Sequence, residues 1–415
     1  MRRRLGALLG GADRVRLRAL LRRPPPGPLR IFTPTGLMDV LREGPAPLER
    51  AGVAGDGPLR IGIVVPWFRE GSGGHGTIAN LVRGLEARGH RCELYVLDDE
   101  GRHADRSAEQ VARSFASFFG PLAAQVHLGL GDWAGADVAV ATGWQTAPAV
   151  LRLPGAAARA YLVQDHEPDF HGASAEREWA AWTYRQGLRH IAASHWLDRL
   201  LRERYGSAGS AFDLAVDHER YAPPAGGGRR RGDLVAFYAR PSTPRRATAL
   251  GLLALGELRR RRPAVEIALF GESREIATSF AARRLGVLDG PALARLYGEA
   301  TCGMVLSLTN PSLVPLEMLA CGLPVVDVAS DSMRGEFGPD GPIALAEPDP
   351  LALADVLERL LDDPDARARR SAAGLAMVAG RTWAAAAAQV EAGLRAAVGE
   401  AEPQVARRAA VDGTD

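Results

Sequence analysis

The chain has 415 residues, 47% of them hydrophobic and 24% charged, with a formal net charge of +2. That is the composition of a globular protein of two or three domains, and the near-neutral balance argues against a dedicated nucleic-acid binder. All 51 basic residues are arginine, so no lysine is present to form a Schiff base or to sit on a P-loop phosphate.

Residues 1–57 read as a basic N-terminal extension. In MRRRLGALLGGADRVRLRALLRRPPPG, Leu17, Leu20 and Leu21 share a helical face ringed by Arg16, Arg18, Arg22 and Arg23. An amphipathic helix on an anionic membrane surface and a disordered basic arm are both compatible with it. The apolar run Leu5 to Ala12 is too broken for a signal peptide, and no run of 18 apolar residues predicts a membrane span.

From residue 58 strands and helices alternate. LRIGIVVPWF (59–68) predicts a buried strand, and Ile78, Leu81, Val82 and Leu85 at helical spacing predict the next helix, starting near Thr77. RCELYVLDD (91–99), ADVAVATGW (136–144), ARAYLVQD (158–165), RHIAAS (189–194) and AFDLAVD (211–217) are further strands, with helices near 175–187 and 196–204. Together 58–222 form one parallel-sheet αβ domain. Residues 223–232, rich in Pro, Gly and Arg, read as a linker. A second series follows over 233–382, with strands at 233–240, 265–272, 302–308 and 323–329, a further strand candidate at 343–347, and helices near 247–260, 291–299, 313–321 and 350–361. A helix over 383–398 could cross back to the first domain, and 399–415 read as a disordered tail. Cys92, Cys302 and Cys321 fit no zinc spacing and suggest a reducing, cytoplasmic setting.

Two loops carry chemistry. Gly71-Ser72-Gly73-Gly74-His75-Gly76 spells the G-x-G-x-x-G dinucleotide fingerprint. Pro66 to Glu70 intervene between strand and glycines, so the turn is looser than that motif needs. What remains is backbone free to approach a ligand at Gly73 and Gly74, a helix end, and the His75 ring. In the second domain Arg240 ends a strand and Arg246 follows a proline turn, so that two guanidinium groups could hold a diphosphate. Ser312 is placed as an N-cap, which frees the Leu313 and Val314 amides for an anion. Glu317, one turn on in an apolar helix, needs a polar partner such as a ribose. In QDHEPDFH (164–171) the acids and histidines crowd one proline-containing loop, a poor metal spacing and a better polar sugar site with Trp144 nearby.

These residues resemble retaining, nucleotide-sugar-dependent glycosyltransferases of family 4, with the GT-B fold of two Rossmann-like domains facing a cleft. ATGWQTA (141–147), YLVQDHEPDFH (161–171), FYARPSTPRR (237–246) and SLTNPSLVPLEMLACG (307–322) are similar to the bacterial WsaF-type rhamnosyltransferases. The resemblance implies transfer of a sugar, such as rhamnose from dTDP-rhamnose, to a surface-polysaccharide or lipid-linked glycan, with no metal or other cofactor. It implies a catalytic set of Arg240, Arg246, Glu317 and His75. It places Gly73, Gly74, Gly271, Thr309, Asn310, Ser312, Leu313, Val314 and Glu317 at the donor, and Thr142, Trp144, Gln164, Asp165 and Glu167 at the acceptor. Where the family has the first acid of its E-x7-E motif, this chain has Thr309. That suits a less hydroxylated sugar, and also a non-catalytic glycan- or nucleotide-binding relative. A nicotinamide-dependent oxidoreductase is the third class left standing by the glycine string.

Overall fold

A computed structural model describes residues 32–49, 57–224 and 232–399. The fold below is that of the compact unit Pro34–Asp415. The Leu17 helix face, the core of the linker at 225–231 and the tail at 400–415 lie outside the described residues.

Two parallel sheets organise the chain. The first runs β3(Gln125–Leu128), β2(Arg91–Leu97), β1(Arg60–Pro66), β4(Ala136–Ala141), β5(Ala156–Val163), β6(Arg189–Ala192) and β7(Gly209–Ala211). The second runs β10(Arg283–Arg284), β9(Glu266–Phe270), β8(Leu234–Tyr238), β11(Cys302–Met304), β12(Val325–Val328) and β13(Ile343–Ala346). Helices cover both faces, so the central strands are apolar on both sides. All eight residues of β5 are buried, as are all four of β12. The strand order reverses beside β1 in one sheet and beside β8 in the other. Loops leaving the carboxyl ends at those points form a crevice, which is where ligands bind in such sheets.

Several elements differ from the sequence reading. Of the strand read at 211–217 only the start pairs, through Ala211 and through Phe212 N, which donates to Ala192 O (2.8 Å). Beyond it the chain leaves the sheet to meet the second domain's C-terminal segment, and Val216 N donates to Arg381 O (2.9 Å). The Ala108–Phe119 helix and β3 were not anticipated; β3 is a four-residue edge strand without an apolar run. The first domain's ordered chain also starts before residue 58. The Leu37–Glu43 helix buries Leu37 and Val40, and Ala46 N and Glu49 N donate to Leu151 O and Ala156 O (both 2.8 Å).

The C-terminal helix Trp383–Gly399 lies against the Gly73–Ala87 helix and strands β4 to β7 of the first domain. Gly84 permits the approach, since a Cβ there would fall 2.4 Å from Ala387 Cβ. Glu391 fastens the contact. It takes hydrogen bonds from Arg88 and from Arg395 (2.8 Å), and His90 Nε2 lies 3.1 Å away. Burial works against its charge, but the two arginines outweigh it and hold the carboxyl down at about 2. A depressed carboxyl contributes stability above its ordinary value of 4.5, and that contribution is lost as pH falls toward 2. Glu391→Gln should therefore cost about 1–3 kcal/mol at pH 7. In melting curves across pH it should also flatten the fall in stability between those two values. An unchanged curve would show that the helix is held by packing alone.

Candidate functional site

A cleft of about 660 Å³ opens between the two sheet edges. Its first wall is the start of the Gly73–Ala87 helix. The helix begins at Gly73, four residues earlier than the apolar spacing suggested, so the glycines form its first turn rather than a loop. The N–H groups of Gly73, Gly74 and His75 have no carbonyl one turn back, as at any helix start. Apart from its chain neighbours and its own helix backbone, nothing lies within 4 Å of a Cβ position on Gly73, which lines the cleft. Gln164, on the loop after β5, braces this turn by donating from Nε2 to Gly74 O (3.3 Å).

His75 lines the cleft, but its ring is engaged inward. Nε2 lies 3.1 Å from Pro66 O, and a carbonyl can only accept, so Nε2 carries the proton. Nδ1 then accepts from Ser72 Oγ (2.8 Å). Burial pulls the ring's pKa down to about 4, and it stacks on Phe119. The geometry makes His75 a neutral staple of the helix start, with neither nitrogen left for the catalytic work expected of it.

The second wall begins at the end of β8. Arg240 Nη1 donates to Tyr238 OH (3.0 Å) and reaches across the cleft to Gly71 O (3.4 Å). Arg246 is buried, and its Nη1 donates to Ser307 Oγ (3.1 Å). Beneath it Asp327 accepts from the Ser307 and Val328 N–H groups (both 2.7 Å), and burial pushes its carboxyl up to about 7. Sequence reading missed Asp327, although an acid inside the apolar strand VVDV is a signal in itself. Ala247 follows with φ +40°, the one positive φ outside glycine among the described residues. Such strain costs on the order of 1 kcal/mol; Ala247 packs against the second domain's core at the start of the Thr248–Arg261 helix.

The Leu313–Ala320 helix points its start at the same space. Ser312 occupies the N-cap but its hydroxyl does not cap the helix, and Oγ has no partner among the described residues. With Pro315 lacking an N–H, the free donors are those of Leu313 and Val314. Glu317 faces the cleft one turn on. Burial raises its carboxyl to about 7 while nearby Arg220 opposes the rise. Gly271 has φ +102°, and a Cβ there would fall 2.5 Å from the Tyr238 ring. Phe270, Val287, Leu288 and Leu293 make this end of the cleft apolar.

Three expected site residues are not at the cleft surface. Trp144 is buried against His171 and Trp179, so no sugar can stack on it. Thr309 and Asn310 are buried where the two domains meet, held by Asp165 of the first domain. Asp165 Oδ1 accepts from Asn310 N and from His166 N (both 2.9 Å). Its Oδ2 accepts from Thr309 Oγ1 (3.0 Å) and lies 3.0 Å from Arg245 Nε. Asn310 Nδ2 donates to Gln164 O (3.0 Å) and Ala193 O (2.9 Å), and its Oδ1 accepts from Ser194 Oγ (2.7 Å). Thr309 and Asn310 thus build the joint rather than the donor pocket, and Asp165 has no oxygen to offer an acceptor. Arg245, from the same turn, pairs with Asp165 and lies 4.0 Å over the Phe170 ring.

Of the acceptor set, Thr142 lines the cleft, but its hydroxyl donates to Val64 O (2.8 Å). Glu167 lines it too, with Oε2 accepting from Tyr161 OH (2.5 Å) and Trp144 N (2.6 Å). His166 bridges Asp169 and Tyr205 (both 2.7 Å), so the QDHEPDFH polar residues largely satisfy one another. Among the described residues no grouping of His, Cys, Asp and Glu could hold a metal ion. No helix among them is long and apolar enough to cross a membrane.

Comparison with known proteins agrees with this geometry. Residues 233–358 match the family model of the WsaF C-terminal domain. The O-antigen biosynthesis protein RfbC of Myxococcus xanthus is 34% identical over 267 residues, covering 62% of this chain and 20% of that protein. A D-inositol 3-phosphate glycosyltransferase of Frankia alni is 36% identical over 181 residues, covering 38% and 44%. The chain thus spans less than half the length of either curated relative. Among solved structures, Anabaena Alr3699/HepE in complex with UDP-glucose superposes with a TM-score of 0.61 at 14% identity, over 81% of this chain and all of that one. The fold is GT-B, two Rossmann-like domains about a cleft, and the chain is a relative of glycosyltransferases.

Because position 309 faces a carboxylate, an acid there should be repelled. Thr309→Glu should destabilise the protein by about 1–3 kcal/mol, and Asp165→Asn in the same chain should recover at least about half of that in a double-mutant cycle. Additive losses would mean the two positions do not communicate.

Proposed function

We propose that the protein is a retaining glycosyltransferase that transfers a sugar, rhamnose from dTDP-rhamnose, to a surface-polysaccharide or lipid-linked glycan acceptor. The carrying observation is convergence on one cleft. Two helix starts, Arg240, Arg246 and a Ser312 hydroxyl without a partner among the described residues surround a space open to an anion. A diphosphate fits that chemistry better than any neutral ligand. Arg240 and Arg246 would take its oxygens, and the Leu313 and Val314 amides would take others. Glu317 would accept from ribose hydroxyls, and the apolar end near Gly271 would take the base. The structural neighbour HepE holds UDP-glucose, and RfbC is an O-antigen biosynthesis protein; both support the reading.

In the step itself the bond from the sugar C1 to the β-phosphate oxygen breaks, leaving an oxocarbenium-like sugar and a diphosphate. The charge growing on that leaving group would meet fixed guanidinium and amide donors that need no reorganisation. The chain supplies this stabilisation from its own side chains and backbone, and no metal is part of the proposal. Action would be cytoplasmic, and a peripheral membrane contact would fall to the basic N-terminal segment.

The non-catalytic alternative drew its weight from Thr309. The Thr309–Asp165 bond gives that residue a structural reason and removes much of the motive for that reading. The oxidoreductase alternative rested on the glycine string, which here opens a helix on one wall of a two-domain cleft. Thermal-shift titration with dTDP, UDP and NAD separates the classes. A nucleoside diphosphate should raise the melting temperature and NAD should not; the reverse would sink the transferase reading. Arg240→Ala and Glu317→Ala should each lower donor turnover by about 10²-fold or more in a nucleotide-release assay.

A further inference from the structure

Trp144, the aromatic expected to stack on a sugar, is buried, but the cleft presents another ring. Of the large apolar side chains exposed among the described residues, Phe170 and Val287 line the cleft, and Val287 belongs to its apolar end. Phe170 is 37% exposed and closes the Glu167–Phe170 turn of 3-10 helix on the first-domain wall. Single apolar side chains on a surface are ordinary. This one differs because it is held in place from two sides.

The backbone is pinned first. Arg177 Nη1 donates to Pro168 O (3.2 Å) and to His171 O (3.1 Å), one on each side of Phe170. The ring is pinned next. The Arg245 guanidinium lies 4.0 Å over it, and Arg245 is in turn held by Asp165 (3.0 Å). With one face under the guanidinium, the surface left to the cleft is the other face and the rim. The turn packs against Pro244–Arg246, so a ligand on the ring lies beside the turn that carries Arg246. Gln145 and Gln164 line the same cleft. Glu167 ties their loops to this turn, since its Oε2 accepts from Trp144 N, next to Gln145. Side-chain amides both donate and accept, which suits hydroxyls. The cation on the ring is already paired with Asp165, which favours a neutral ligand over a phosphate or carboxylate.

Resting on the glycosyltransferase reading, we propose that Phe170 is the platform of the acceptor subsite, stacking on the C–H face of a neutral pyranose whose hydroxyls meet Gln145 and Gln164. The negative face of an aromatic ring attracts the weakly positive C–H groups of a sugar, and a ring that is already immobilised loses little freedom in binding. The platform binds and orients; it exchanges no proton and leaves the course of the transfer at C1 unaltered.

The test uses the full chain with dTDP, or UDP where that binds more tightly, at saturation, so that the diphosphate site is filled. Methyl α-L-rhamnopyranoside, methyl α-D-glucopyranoside and glucose 1-phosphate are then titrated by NMR. At least one methyl glycoside should bind, with saturation transfer strongest on the C–H protons of one sugar face. Phe170→Ala should weaken that binding about tenfold or more, and Phe170→Trp should restore it. Nucleotide affinity by calorimetry should be the same in wild type and both variants. A Phe170→Ala protein that binds the glycoside as wild type does overturns the platform and leaves the transferase reading intact. So does a wild type that binds nucleotide but neither methyl glycoside, or that prefers glucose 1-phosphate to both. A wild type that binds neither nucleotide nor glycoside overturns both readings.

Discussion

One buried carboxylate ties the two domains together. Asp165 leaves the end of β5 and is satisfied at 2.9–3.0 Å by His166 N on its own domain and by Asn310 N, Thr309 Oγ1 and Arg245 Nε on the other. Removing a partner from such a group typically costs about 3–5 kcal/mol, because the remaining charge stays buried and unpaired. Satisfied, it fixes the loop after β5 against the loop before the Leu313–Ala320 helix. Those same loops carry Gln164, which braces the glycine turn, Glu167, and Ser312. Together with the C-terminal helix packed on the first domain, this ionic joint sets the mutual position of both cleft walls.

That joint also shapes the electrostatics. Arg245 is paired with Asp165, which leaves Arg240, Arg246 and the exposed Arg69 as the other guanidinium groups lining the cleft. The remaining acids are segregated, Glu317 toward the apolar end and Glu167 toward the opposite wall. Burial raises both, to about 7 and about 8. The lysine-free composition is no handicap here, since planar guanidinium groups and backbone amides suit a diphosphate well.

Much of this was legible in the residues. Apolar runs and helical spacing gave the two αβ halves. The Ser312–Pro315–Glu317 pattern gave the helix start and the acid behind it, and Arg240 and Arg246 do line the cleft. The misses share a cause: they concern contacts between segments far apart in sequence. Nothing local says that Thr309 faces an aspartate 144 residues away, or that Arg245 is held by it. Trp144 has the composition of a sugar platform, yet helix packing over it closes its faces. His75 reads as a free donor until Ser72 and Pro66 O claim both nitrogens. The helix start at Gly73 was hidden because glycine carries no apolar signal, while backbone geometry could place it there.

The central claim is that an anionic nucleotide binds between two helix starts contributed by different domains. Hydrogen–deuterium exchange on the full chain, with and without dTDP or UDP, measures this directly. Binding between the walls should slow exchange both in peptides spanning Gly73–Ile78 and in those spanning Ser312–Glu317. Protection of neither segment by either nucleotide, or of the first segment alone and only by NAD, would contradict it.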